Sequence, residues 1–264
     1  MDSELQRLSA SLNIGIVLSG GGVRGMAHIG VLKALREFNI APNWISGASV
    51  GAIVGALYAR GNGEEDMLRF FKETPLLRYD FLSIGKPGLF DTERYYSIFS
   101  SYFPENNFER LHIPLFVNAT NLQRGENRTF SKGELIKPLL ASAALPPIFS
   151  PVLIDGELYS DGGIMNNFPI EPLEGKAEYI LGSNVAVIQE MSPKEIRTSL
   201  QLANRTTGLM LQAINAAKTM RCHLLFEPNE LQHIGVLDKK GIEQAYHIGY
   251  EYACAKLNAV FNSP

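Results

Sequence analysis

Two abrupt transitions within the first 61 residues constrain this chain more than any other feature in it. At each, an apolar run gives way to a glycine-bearing turn and then to a helical pattern. The first run is 13–19, followed by Gly20-Gly21-Gly22 and by 24–38, where Ile29, Leu32, Leu35 and Phe38 share roughly one face. The second run is 42–46, followed by Gly47-Ala48-Ser49-Val50-Gly51. A segment over 50–60 comes next, with Val50, Val54 and Leu57 at helical spacing and Gly61 as a stop. Short buried strands that each feed a helix are the building unit of a parallel sheet, because parallel neighbours need a crossover between them.

The alternation continues along the chain. The pattern predicts a helix over 64–73, a strand over 114–120 with 128–131 beside it, and a helix over 134–144 ended by Pro146 and Pro147. It predicts a hairpin of 152–154 and 157–159 around Asp155-Gly156 and a buried strand over 179–187. Long helical patterns follow over 193–221 and 241–260. The expected fold is α/β, with a mostly parallel central sheet flanked by helices on both faces. One domain over 1–264 is expected, with its motifs within 14–169 and a C-terminal helical part over 190–264.

Composition narrows the class of partner. A hydrophobic content of 45% excludes disorder as the dominant state, and a net charge of -3 gives no electrostatic reason for a nucleic-acid partner. Two cysteines, Cys222 and Cys254, cannot build a disulfide framework. The stretch 1–13 is polar and lacks the apolar core of a signal peptide. The uncharged stretch 38–59 is long enough to span a bilayer, but Pro42 and the glycines from Gly47 would break such a helix. A cytoplasmic protein is expected, with peripheral membrane contact left open and the oligomeric state unread.

Three motifs carry chemistry. Gly47-Ala48-Ser49-Val50-Gly51 is a G-x-S-x-G between strand and helix. Such an elbow forces its serine into a tight turn at the sheet edge, where flanking glycines remove Cβ clashes. The other reading is a glycine-rich helix entry with Ser49 as an N-cap. Gly20-Gly21-Gly22, with Arg24 nearby, exposes backbone N–H groups able to cradle an anion, and in acyl transfer that anion is the tetrahedral oxyanion. Arg24 either adds positive charge there or ties the loop down. Gly20, Gly22 and Gly25 also match a dinucleotide fingerprint. That fingerprint wants an acidic residue about 20 positions on, and no Asp or Glu occurs between Glu37 and Glu64. The third motif is Asp161-Gly162-Gly163. A serine needs a base, and a carboxylate on a tight loop can serve, although Asp161 lies 112 positions after Ser49.

A histidine base is the alternative. His223, His233 and His247 follow Asp161, so chain order alone permits a triad, but none sits in a convincing loop after a strand. His28 lies in the first helix and His112 precedes a strand.

The order of glycine-rich loop, G-x-S-x-G and D-G-G resembles the patatin-like phospholipase family. The run from Ser19 to Leu32 is similar to the opening of small bacterial members, and Gly47–Ala52 resembles the family elbow. Ala141-Ser142-Ala143-Ala144-Leu145-Pro146, with Phe149 and Pro151, is similar to a segment that members carry between elbow and aspartate. The likeness runs from about Ile14 to Pro169. It implies a three-layer fold and a Ser-Asp dyad, with Ser49 as nucleophile and Asp161 as proton acceptor. It implies an oxyanion hole at Gly20, Gly21, Gly22 and Arg24, supported by Gly47, Gly51, Gly162 and Gly163. No metal or cofactor is implied. The expected activity is hydrolysis of lipid acyl esters of the phospholipase A or lysophospholipase type. Acyl transfer on the same site, or lipid binding without turnover, are the rival readings.

Between Phe70 and Phe108 lie eleven of the chain's 25 aromatic residues, with Tyr95, Phe99, Tyr102 and Phe103 at helical spacing. They read either as an amphipathic helix packed on the core or as a lid or acyl-chain pocket.

Overall fold

The computed structural model describes residues 13–75, 79–188 and 190–261. In chain order these form β1 (Ile14–Leu18), α1 (Met26–Glu37), β2 (Trp44–Ala48), α2 (Val50–Ala59), α3 (Glu64–Glu73), α4 (Tyr96–Tyr102), β3 (Leu115–Asn121) and β4 (Glu126–Phe130). They continue as α5 (Ile136–Ser142), β5 (Val152–Ile154), β6 (Glu157–Asp161), α6 (Gly163–Asn166), β7 (Tyr179–Ser183), α7 (Ser199–Thr219), β8 (Leu224–Phe226) and α8 (Ile242–Phe261). A 3-10 turn, Gly22–Gly25, leads into α1.

The strands make one eight-stranded sheet in the order β5-β6-β3-β2-β1-β7-β8, with β4 paired to β3. The pairs β1–β2, β1–β7, β2–β3 and β7–β8 are parallel, and the β3–β4, β3–β6 and β5–β6 pairs are antiparallel. The sheet is therefore mixed and mostly parallel. Strand β1 is buried along its whole length, as a central parallel strand covered on both faces must be. Its alternation sorts the layers. Ile14, Ile16 and Leu18 join the large core with α1, α2 and α8, whereas Val17 packs with Phe168, Ile170, Leu173 and Ile180 on the other face.

The pairing of β3 positions the site. Residues 117–121 pair with β4, while 115–118 pair with β2 and 119–121 with β6. A strand has two edges, and both β2 and β6 overlap β4 in register. They must therefore share the edge that β4 leaves free. Strand β6 runs against β3 and so meets β2 end to end: Ala48 pairs with Asn118, and Asp161 with the next residue, Ala119.

Several expectations need correction. The C-terminal part is not purely helical, because β8 adds an edge strand to the sheet beside β7. The strand expected over 179–187 stops at Ser183 and continues as an irregular segment, and α7 begins at Ser199 rather than 193. The polar amino-terminal stretch lies outside the described residues up to position 12. The uncharged stretch 38–59 is a turn, β2 and α2, and among the described residues no helix is long and apolar enough to cross a membrane.

The aromatic segment is mainly core. Tyr95, Phe99, Phe103 and Phe108 are buried, and Phe99 meets Phe70 edge-to-face at 5.3 Å. Phe99 is therefore packed in the core, as the amphipathic-helix reading of the segment expects. Phe99→Ala is expected to cost about 3–5 kcal/mol of folding stability, with equal effects on long and short substrates per folded molecule. Urea unfolding checks this. A loss confined to long-chain turnover with stability intact would restore the pocket reading.

Candidate active site

Ser49 sits between β2 and α2 with φ 53° and ψ -127°. A non-glycine residue there carries strain of about 1–3 kcal/mol. The elbow is tight because its glycines let backbones meet. A Cβ on Gly51 would lie 2.3 Å from the Leu18 carbonyl oxygen, and one on Gly47 would lie 2.7 Å from the Gly51 carbonyl oxygen. Helix α2 thus starts directly against the carboxyl end of β1, the end at which open α/β sheets place their ligand sites.

The Ser49 hydroxyl donates to Asp161 Oδ2 at 2.8 Å, and the Gly163 N–H donates to Asp161 Oδ1 at 2.7 Å. Asp161 is 4% exposed, while Ser49 is half-buried. Burial pushes the Asp161 carboxyl up to about 6, opposed by the bonds from Ser49 and Gly163. The aspartate is thus largely ionised at neutral pH yet far more basic than an exposed one. Gly162 is required here, since a Cβ would sit 2.2 Å from the Asn118 carbonyl oxygen.

Among the described residues no histidine bonds to Ser49 or Asp161. His223 Nδ1 accepts the Ile180 N–H, and His233 meets Gln232. His28 is fully buried between the Ser19 carbonyl, 2.9 Å from Nε2, and the Ser183 hydroxyl, 2.7 Å from Nδ1. A carbonyl only accepts, so Nε2 carries the proton and Nδ1 accepts from Ser183. Burial holds the His28 ring down to about 4, so it is neutral and braces the start of the glycine loop.

The loop lies against the elbow: a Cβ on Gly20 would come 3.1 Å from Ser49 Cβ and 2.3 Å from Asn167 Oδ1. Two of its expected donors are engaged elsewhere. The Gly20 N–H donates to the Asn167 carbonyl at 3.2 Å. The Arg24 guanidinium donates to the carbonyls of Ile234 at 2.8 Å, Gln232 at 3.2 Å and Val187 at 3.3 Å. Arg24 thus ties the loop to the backbone around Val187 and Ile234 through three of its five N–H groups. Among the described residues, no hydrogen bond engages the N–H groups of Gly21 and Gly22, nor those of Val50 and Gly51 at the start of α2.

Reading the sequence residue by residue missed Asn167 and Asn118, both buried, which clamp the loops around Gly20 and Gly162. The signal for Asn167 was slight: a polar pair, Asn166-Asn167, standing directly after a D-G-G turn.

A strained serine elbow joined to a buried carboxylate, at the carboxyl end of a mostly parallel sheet, defines an α/β protein of the serine-elbow class. Within that class the chain belongs to the patatin-like phospholipase family, whose model matches residues 16–174. It is 31% identical over 222 residues to an uncharacterized NTE family protein of Mycobacterium tuberculosis, an alignment covering 81% of this chain and 61% of that protein. It is 32% identical over 213 residues to Lysophospholipase NTE1 of Cryptococcus neoformans var. neoformans, covering 75% of this chain and 13% of that protein. The chain therefore spans about three fifths of the first relative's length and a small fraction of the second's. Among solved structures, VipD from Legionella pneumophila is similar in fold, with a TM-score of 0.55 at 15% identity, covering 94% of this chain and 67% of that one.

Proposed function

We propose that this chain is a lipid acyl hydrolase of the phospholipase A or lysophospholipase type, working through a Ser49–Asp161 dyad. The observation that carries the reading is the 2.8 Å hydrogen bond from the Ser49 hydroxyl to a buried carboxylate of raised basicity. Family membership and relatives named as lysophospholipases support the substrate class.

In the proposed reaction, Ser49 Oγ attacks the ester carbonyl as Asp161 Oδ2 takes the hydroxyl proton. The carbonyl oxygen becomes an oxyanion, held by the free N–H groups of Gly21 and Gly22, with the start of α2 adding its partial positive charge. Collapse expels the alcohol, which receives the proton from Asp161 and leaves an acyl ester on Ser49. Water then attacks that ester, giving its proton to Asp161, and the fatty acid departs as Ser49 recovers its hydrogen. The chain is read as one domain, and a lipid at a membrane surface is a fitting substrate.

The test is fluorophosphonate labelling with peptide mapping, run beside fatty-acid release from a lysophospholipid and from p-nitrophenyl esters. The expected result is an adduct on Ser49 and release into water. Acyl transfer to an added alcohol with little release would replace hydrolysis by transacylation. A folded protein that neither labels nor turns over would sink the enzyme reading and leave lipid binding.

Asp161 must be ionised to accept the proton. The kcat/KM profile is therefore expected to rise through a midpoint near 6 and stay flat above it. A midpoint at the ordinary carboxylate value would mean that the resting Asp161 is solvated and not the base described here.

A further inference from the structure

One buried serine is bonded to the backbone on both sides of the dyad, through its hydroxyl to Ser49 and through its carbonyl to Gly162, the neighbour of Asp161. Ser142, at the C-terminal end of α5, is fully buried. Its Oγ accepts the Ser49 N–H at 2.8 Å and donates its own hydrogen to the Asn118 carbonyl at 2.6 Å. Its carbonyl accepts the Gly162 N–H at 3.1 Å, and two residues on the Ala144 carbonyl accepts the Asp161 N–H, also at 3.1 Å. The end of α5 is thus bonded to the backbone on each side of the gap that the Ser49–Asp161 hydrogen bond crosses.

The chemistry of the hydroxyl makes this connection directional. A serine hydroxyl has a single hydrogen, and here the Asn118 carbonyl takes it. The lone pair facing Ser49 is therefore held in place rather than free to rotate. It meets the N–H of the one residue in the elbow with strained, positive-φ geometry, the point where a small rotation would swing Oγ away from Asp161. Asn118 closes the bracket, since its Nδ2 donates to the Gly162 carbonyl at 3.2 Å and its register neighbour on β2 is Ala48.

We infer that Ser142 is a positioning residue for the reaction proposed above: it sets the Ser49–Asp161 alignment by holding the nucleophile's peptide and the Gly162 peptide on one rigid helix end. The inference rests on the dyad reading for its kinetic consequences but not for its structural one.

The experiment compares wild type with Ser142→Ala and Ser142→Cys, each assayed per folded molecule. The Asp161 carboxyl is followed separately by 13C NMR titration, a readout that needs no turnover. In Ser142→Ala the Ser49 peptide is released and the hydroxyl drifts from Asp161. The expected result is a fall in kcat of about 10–100-fold with KM within about twofold. Fluorophosphonate labelling slows in parallel. The Asp161 titration moves upward, because the bond from Ser49 is one of the contacts that hold it down. Ser142→Cys, close in size and a weaker acceptor, is expected to fall between the two, and it stands in if the alanine variant does not fold. Unchanged kcat and an unchanged Asp161 titration in a folded variant would overturn the inference. A shifted titration in a protein whose wild type hydrolyses nothing would keep the positioning role and sink the hydrolase reading instead.

Discussion

Ser49→Ala is expected to reduce ester turnover to background, and Asp161→Asn to lower kcat by about 10²–10⁴-fold while making the fold more stable at neutral pH. The first follows from loss of the hydroxyl that the proposed reaction acylates. The second separates catalysis from folding. The Asp161 carboxyl stands at about 6 in the folded protein against 3.8 when unperturbed, so the fold disfavours its charged form. A group raised in this way binds its proton more tightly folded than unfolded. Stability is therefore lost as pH climbs from 3.8 to about 6 and stays lower above that range. The difference corresponds to about 3 kcal/mol at neutral pH. Asparagine removes the charge and keeps a similar shape. Its Oδ1 can accept the Gly163 N–H, while its Nδ2 must donate toward Ser49 Oγ, reversing the hydrogen bond and abolishing the base. Thermal unfolding at pH 7 and at pH 3.5 checks the linkage, with a higher melting temperature for Asp161→Asn at pH 7 only. A variant that loses both activity and stability at pH 7 would show that the ionised carboxylate holds the structure together, contrary to its burial.

Gly51→Ala is expected to cost more than about 3 kcal/mol, the upper range of ordinary overpacking, and to lower kcat by about 10²-fold in whatever remains folded. The added methyl would lie 2.3 Å from the Leu18 carbonyl oxygen and 2.6 Å from that of Ser19. Both belong to backbone at the end of β1 and the start of the glycine loop, so no side chain can swing aside. Relief requires α2 to lift from β1, and that motion carries Ser49 with it. Gly63→Ala is the control. Its Cβ would meet nothing within 4 Å, and Gly63 only caps α3, so a cost of about 1 kcal/mol or less is expected. Equal urea midpoints for the two variants would show that the close approach is not what keeps position 51 a glycine.

Much of the site was legible because its parts are local. The elbow and the glycine loop are each a strand, a turn and a helix in succession, and their glycines stand where backbone must meet backbone. The hairpin ending at Asp161 announced itself through Asp155-Gly156, whose turn takes positive φ at both positions. Other elements were illegible for equally physical reasons. Strand β8 has three residues, too few for any period to show, and its place is set by pairing with β7. Helix α6 has four residues and owes its form to the turn after Asp161. The roles of Gly20 and Arg24 turned on hydrogen-bond partners at Asn167, Ile234, Gln232 and Val187, which no neighbouring residue predicts.

The chain's sequence alone pointed to a serine on a tight turn and, separately, to a loop of bare backbone, because glycine placement and apolar period act over a few residues at a time. Only the tertiary structure decided what that serine meets. Asp161 reaches it across 112 positions because β2 and β6 share one edge of β3 and arrive end to end. Ser142 binds the Ser49 peptide because α5 ends beside that junction. Such contacts depend on strand register and on which edge is free, and these are settled by burial and hydrogen bonding over the whole sheet rather than by any local run of residues.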